Sequence, residues 1–191
     1  MTIPHSMGGC SSPAGGRGML FSHCNMGGTV LQCKKQRRHG RWQFTRRKKT
    51  YHTKAHMGMI DVTEDFQHAV EEACRQHGIS AGTVTGFTTG GVAGLTTLEF
   101  EPGIVNHDLK AALDVFSPYL DEKGRVVPYW HHETWHDDNG SSHIKAALLS
   151  PFITVPFVNG KITVGPWQNL TLIECDTRDR VRDIVFQVMG E

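Results

Sequence analysis

The sequence predicts an α+β fold, an antiparallel β-sandwich carrying two main helices. Three observations lead to it. Short runs rich in β-branched and aromatic residues recur through the second half of the chain, separated by Gly, Pro and Asn turns. Asn159-Gly160 lies between FITVPFV and KITVG, a strong local signal for a hairpin because both turn residues tolerate positive φ. Only two segments show the apolar period of an amphipathic helix.

In chain order, residues 1–44 read as a disordered tail. They are rich in Gly and Ser and lead into the basic run KKQRRHGRWQFTRRKK, and no strand or helix period holds long enough to bury a face. The domain is expected over residues 45–191. TYHTKA and MGMIDVT read as short strands. In TEDFQHAVEEACRQHG, Phe66, Ala69, Val70, Ala73 and Cys74 form one helical stripe, with Thr63 as N-cap and Gly78 as stop. GTVTGF and LTTLEF follow as strands around the glycine-broken TTGGVAG. Pro102-Gly103 breaks the chain before a second helix that His107-Asp108 open, with Leu109, Ala112, Leu113 and Phe116 inward and Pro118 as its end. IKAALL makes a short helical turn. The Asn159-Gly160 hairpin, NLTLIECD and VRDIVFQVMG complete the sheets, joined mostly by hairpin-like connections.

Charge is unevenly placed. Residues 1–60 hold eleven Lys and Arg and no acid, whereas the rest holds nine basic against nineteen acidic residues. The basic run suits a nucleic-acid or anionic-surface tether, or else is a solvated extension from an upstream start codon. Five cysteines, an odd number without a CxxC pair, fit neither a disulfide framework nor a zinc ribbon. No apolar run approaches the ~20 residues of a membrane span, and no signal-peptide pattern opens the chain. A cytoplasmic protein is expected.

The chemistry concentrates in YWHHETWHDDNGSSH, which places His131, His132, His136 and His143 among Glu133, Asp137 and Asp138. Imidazole and carboxylate are the ligands of zinc and other borderline divalent ions, and Asn139-Gly140 can turn the chain so that His143 approaches His131 or His136. The spacings match no fixed zinc motif, so a metal site and a solvated loop both stand as readings. Glu99 and Glu101, two apart, would share a strand face and could do acid–base work or hold Mg²⁺; a solvent-facing edge is the plainer reading. Trp167 and Gln168 beside the hairpin suit packing or ligand stacking.

Taken together, LTTLEFEPGIVNHDL, YWHHETWHDDNGSSHIKAALL, the hairpin ending VGPWQ and the terminal VFQVMGE resemble the YjbQ-like family, known as secondary thiamine-phosphate synthases. The resemblance runs from about residue 45 to the last. It implies a small β-sandwich assembled as a homotrimer, with an active site of histidines and acids holding a divalent metal, Zn or Mg. By position it implies catalytic roles for Glu99, His107, Asp108 and Lys145, substrate binding by Trp167 and Gln168, and metal binding by His131, His136 and His143. Two departures stand out. Gly90 falls where many relatives carry a histidine, which makes His136 the substitute ligand, and Pro166 replaces the Thr of a Gly-Thr-Trp-Gln motif.

The implied reaction joins a pyrimidine pyrophosphate to a thiazole phosphate, as a side activity in relatives. A metal-dependent hydrolase of a small phosphorylated metabolite would use the same groups. So would a non-catalytic oligomer that binds a metal or metabolite.

Overall fold

Alternation of inward apolar and outward polar side chains builds eight strands in the computed structural model, which describes residues 42–191. The disorder expected over residues 1–44 lies outside the described residues for 1–41, as does any tether function of that stretch, but Gln43 and Phe44 belong to a strand paired with the end of the domain. The strands are β1 (Gln43–Thr53), β2 (Gly58–Asp61), β3 (Ala81–Thr88), β4 (Ala93–Leu98), β5 (Phe152–Val158), β6 (Lys161–Ile162), β7 (Asn169–Glu174) and β8 (Arg180–Gly190). The helices are α1 (Thr63–His77), α2 (Leu109–Phe116), α3 (Trp130–Trp135) and α4 (Gly140–Leu149).

All strand pairs are antiparallel. One sheet has the order β1-β8-β3-β5-β6 and the other β2-β7-β4. The α+β sandwich is therefore as expected, but its connections are not. From β1 to β5 the chain changes sheet at every step, and only β5 and β6, joined by Asn159 (φ 52°) and Gly160 (φ 73°), form a tight hairpin.

β1 also starts earlier than TYHTKA suggests, because the end of the basic run, Arg46 to Lys49, pairs with β8. Their charges meet acids of the domain: Lys48 reaches Asp183 at 2.7 Å, Lys49 reaches Asp65 at 2.6 Å, and Arg47 lies 3.5 Å from Glu72. Tyr51 donates to the other Asp65 oxygen at 2.8 Å.

α1 buries Phe66, Ala69, Val70 and Ala73, and Gly78 ends it in the left-handed region, as its spacing predicts. Thr63 is not the cap. Its N–H donates to Asp61, while its hydroxyl accepts from Leu170 N–H at 2.8 Å, fastening the helix to β7. Phe66 meets Phe186 edge-on with ring centroids 5.0 Å apart. Gly86 is required here, since a Cβ would come within 2.3 Å of the Phe66 ring.

β7 is covered on both faces. Leu170 and Leu172 enter the core shared by the two sheets and α1. Ile173 and the adjoining Cys175 enter a second core with Met57, Leu113 of α2 and Ala146 of α4. A strand covered on both faces reads as a continuous apolar run, which explains LTLIEC.

The second helix stops before Pro118 as expected, but it departs from expectation at its start and in its stripe. Pro102 begins it rather than breaking the chain, as proline without its N–H can. Glu101 caps that end, accepting from Gly103 N–H at 2.8 Å and Ile104 N–H at 2.5 Å. His107 and Asp108 therefore do not open the helix but lie within a π-helical turn, Ile104–Asp108. Phe116 is 75% exposed, so only Leu109 and Leu113 of the expected stripe pack inward.

At one end of the main core lies a charged clasp. Glu174, fully buried at the end of β7, receives two hydrogen bonds from Arg182 of β8, at 2.7 and 2.9 Å, and one from Thr53 of β1 at 2.7 Å. The pair joins the two sheets. Arg182→Met strands the buried carboxylate, and urea denaturation should show a loss of about 3–5 kcal/mol. Asp179→Asn, which removes the exposed Lys54–Asp179 pair, should leave the midpoint unchanged.

Candidate functional site

The histidine segment folds as two helices meeting at a sharp corner. α3 carries His131, and its last N–H donor is His136, which adopts the left-handed conformation (φ 54°, ψ 36°) and bonds back to the His132 carbonyl at 2.8 Å. The chain then passes Asp137, Asp138 and Asn139 into α4, whose first residue is Gly140. A Cβ at Gly140 would lie 2.5 Å from Tyr129 Cβ and 3.1 Å from His131 Cβ. Glycine lets the start of α4 press against α3, and one turn further on His143 reaches His131.

That contact is the centre of the site. The His131 and His143 rings lie with centroids 4.6 Å apart, tilted by 41°. Partial burial, and then the charge of His131, hold the His143 imidazole below its usual range although the residue is exposed overall. Asp176, Asp137 and the Gly91 backbone pull the other way without prevailing. Neutral imidazoles at close range are the form in which histidine binds a metal ion.

His136, expected as the third ligand, is turned elsewhere, with its ring edge-on to His132 at 6.1 Å. Among the described residues no group of three or more His, Cys, Asp or Glu gathers closely enough to hold a metal. One further polar atom is left without a partner. Asn139 is buried, its amide bonds to Asp176, and its Oδ1 has no partner among the described residues. It is the residue before α4, four positions ahead of His143. Imidazole nitrogens and an amide carbonyl oxygen are donor types that divalent ions take. Sequence reading treated Asn139 only as turn chemistry; its position one helical turn from His143 was the available signal.

The other expected residues sit apart from this pair. Lys145 is 4% exposed and turned inward, ion-paired to Asp114, which also takes Lys110 at 2.6 Å. Residues two apart on a helix do not share a face, so Lys145 lies behind His143 rather than beside it. Glu99 lies beyond the end of β4, so it and Glu101 do not share a strand face. Glu99, His107 and Asp108 are exposed, and no hydrogen bond, ion pair or ring contact ties them to the histidine pair among the described residues. Trp167 is 69% exposed. Gln168 closes its own turn, its Oε1 accepting from Gly165 N–H at 2.8 Å.

The clasp borders the site. Burial alone would raise the Asp176 carboxyl, but the Arg180 hydrogen bond (2.6 Å) and the Thr177 amide hold it below the usual range. Gly90 leaves room for Arg182, whose Cδ would lie 2.9 Å from a Cβ placed there. The neighbouring Gly91 lies in ordinary contact with His143, its Cβ position 3.7 Å from Cε1. A cleft of about 310 Å³ opens beside the histidine corner, lined by Val126, Val127, Pro128 and Tyr129 with His132, Asp137 and Asp138 as polar groups.

Fold and site define a two-sheet α+β protein with a paired-histidine centre. The profile of the UPF0047 protein YjbQ-like family matches residues 47–191, and the chain belongs to that family. A UPF0047 protein of Archaeoglobus fulgidus is 28% identical over 140 residues, covering 73% of this chain and 98% of its own. Among solved structures, a YbjQ-like protein of unknown function from Sulfolobus solfataricus is similar with a TM-score of 0.67 at 26% identity, covering 79% of this chain and 100% of its own. A yjbq/upf0047 family protein from Clostridium acetobutylicum gives 0.62 at 28% identity, covering 74% and 98%. Among the described residues no helix is long and apolar enough to cross a membrane.

In metal-free protein, NMR should place the His143 titration below the ordinary ~6.5. His131→Ala should move it upward by removing a neighbouring positive charge; an unmoved His143 would refute the coupling. Because the folded value is depressed, an unfolded chain takes this proton first, so acidification below the ordinary value should lower stability.

Proposed function

We propose that this protein is a metal-dependent enzyme of phosphorylated metabolites, of the secondary thiamine-phosphate synthase type. The observation that carries the reading is the His131–His143 pair, with His143 biased toward its neutral, ligating form. His131 and His143 hold a divalent ion, with Asn139 Oδ1 as an additional donor. When bound, that ion supplies positive charge against a departing pyrophosphate. In the reaction a thiazole nitrogen forms a bond to the pyrimidine methylene carbon. The carbon–oxygen bond to pyrophosphate breaks, and the electron pair leaves with the pyrophosphate. The chain's work is to orient the two rings and keep water away.

Glu99, His107, Asp108, Trp167 and Gln168 join the site from a neighbouring protomer of a homotrimer in this reading, and His136 is a ligand only if its turn rearranges. Exposed apolar side chains on the outer helices support an assembly: Val115 is 80% exposed, Phe116 75%, Trp130 88% and Trp135 72%. Lys145 fixes α4 through Asp114 instead of touching substrate.

One observation favours a second reading. The histidine pair and the exposed acids do not meet within one chain, as suits a non-catalytic oligomer that binds a metal or a metabolite.

Purified protein should retain stoichiometric metal, and light scattering should return about three times the 21.2 kDa chain. With the pyrimidine and thiazole substrates it should release pyrophosphate. His131→Ala and His143→Ala should lower metal affinity and turnover by more than the roughly 10–100-fold typical of supporting residues. Metal retention without pyrophosphate release points to the binding role, hydrolysis of a phosphate ester points to a hydrolase, and absence of metal affinity ends the metalloenzyme reading.

A further inference from the structure

A second concave site lies away from the histidine pair, between the turn joining β1 to β2 and the π-helical turn before α2. It has a volume of about 320 Å³ and is lined by His52, Lys54, His56, Asn106 and Lys110, together with backbone and apolar atoms of 55–60. No Asp or Glu lines it. A second cleft of about 410 Å³ shares His56 and Lys110 and continues along Asp114, Pro118, Tyr119 and Leu120. Both sizes fall in the range of small-ligand sites.

Two backbone irregularities face this cleft. His56 and Met57 both hold positive φ, 55° and 72°, a conformation that non-glycine residues adopt at a cost. The turn is kept there by its own hydrogen bonds, His56 N–H to Asp176 O and Met57 N–H to Glu174 O, both 2.8 Å. On the opposite wall lie Asn106 of the π-helical turn and Lys110 in the first turn of α2. Such turns are rare in helices and concentrate at functional sites. The His56 ring also rests on Tyr119, with centroids 5.0 Å apart.

Charge is unbalanced behind the wall that carries Lys110, where the buried Lys145 also lies. Lys110 and Lys145 share one carboxylate, Asp114, so two ammonium groups face a single negative charge. Lys54 is held at the rim by the exposed Asp179. Donors surround the first cleft: two imidazoles, an amide and two ammonium groups, with no carboxylate on its lining, and the one carboxylate of the second, Asp114, is already engaged by Lys110 and Lys145. A phosphoryl oxygen is the acceptor that matches such a set.

We propose that this cleft binds the phosphoryl group of an organic phosphate, whose ring portion lies along Tyr119 and Leu120. The site goes beyond the reading above, since it requires an anion and no reaction at the histidine pair.

Amide NMR titration of the full-length, metal-free protein tests it, with inorganic phosphate and phenyl phosphate as probes. Saturable shifts should centre on residues 54–58 and 105–110, and phenyl phosphate should bind more tightly because its ring gains the apolar wall. Lys110→Gln and His56→Asn should each weaken binding by about tenfold. Asparagine is chosen because it tolerates the left-handed turn. His143→Ala should bind the probes as the wild type does. Absence of saturable shifts at millimolar anion would overturn the proposal, as would shifts centred on residues 131–143 or loss of binding in His143→Ala. Unchanged affinity in folded Lys110→Gln and His56→Asn would overturn it too. If either variant melts below the wild type, the wild-type shift map and the His143→Ala titration decide.

Discussion

The Glu174–Arg182 ion pair is the constraint from which much of the rest follows. A carboxylate with no exposure is tolerable in a protein interior only when its oxygens are satisfied, and here Arg182, Thr53 and the Asp176 amide do so. The three side chains come from β7, β8 and β1, so the clasp sets how the smaller sheet sits on the larger one at that end. It also holds the chain just beyond β7. There Asp176 meets Arg180, and the backbone carbonyls of residues 174 and 176 pin the turn at His56 and Met57. Asp176 then reaches toward Asn139 and His143. A single buried charge thus connects the inter-sheet core, the strained turn and the histidine corner.

The histidine corner shows how small residues govern chemistry set by larger ones. Gly140 carries no functional atoms, yet it allows α3 and α4 to touch, and Gly90 leaves the space that Arg182 occupies. His136 is taken by the turn itself, because a left-handed residue at the end of α3 is what redirects the chain toward α4. The segment's four histidines are therefore not equivalent. Backbone geometry makes one pair of them close and turns the others toward each other.

Much of the fold was legible in local pattern. The stripe of α1, its Gly78 stop and the Asn159-Gly160 hairpin depend on residues near one another in sequence, and all three stand. What escaped depends on distant partners. The strand nature of Arg46 to Lys49 is visible only once Asp183, Asp65 and Glu72 supply their counter-charges. Hairpin joins were expected because adjacent strands usually pair, whereas here successive strands change sheet. Within the site, the closeness of His131 and His143 was readable from the Asn139-Gly140 turn. The inward direction of Lys145 was not, because it depends on Asp114 in another helix. Glu101 was half legible: the acid was noticed, but its use as a helix cap requires knowing that Pro102 starts the helix.

The place of β8 in the larger sheet bears on how the domain comes together. It pairs with β1 on one side and β3 on the other, so the last strand of the chain lies in the interior of the sheet. During synthesis β1 and β3 emerge long before their shared neighbour and expose unpaired edges until it arrives. The pairing of Gln43 with Gly190 closes almost the whole length of the domain in one contact. Such long-range closure slows folding and makes completion of the sheet a late, cooperative event. The clasp forms with it, since Arg182 belongs to the same strand, and the interval before β8 docks is when this protein most needs protection from aggregation.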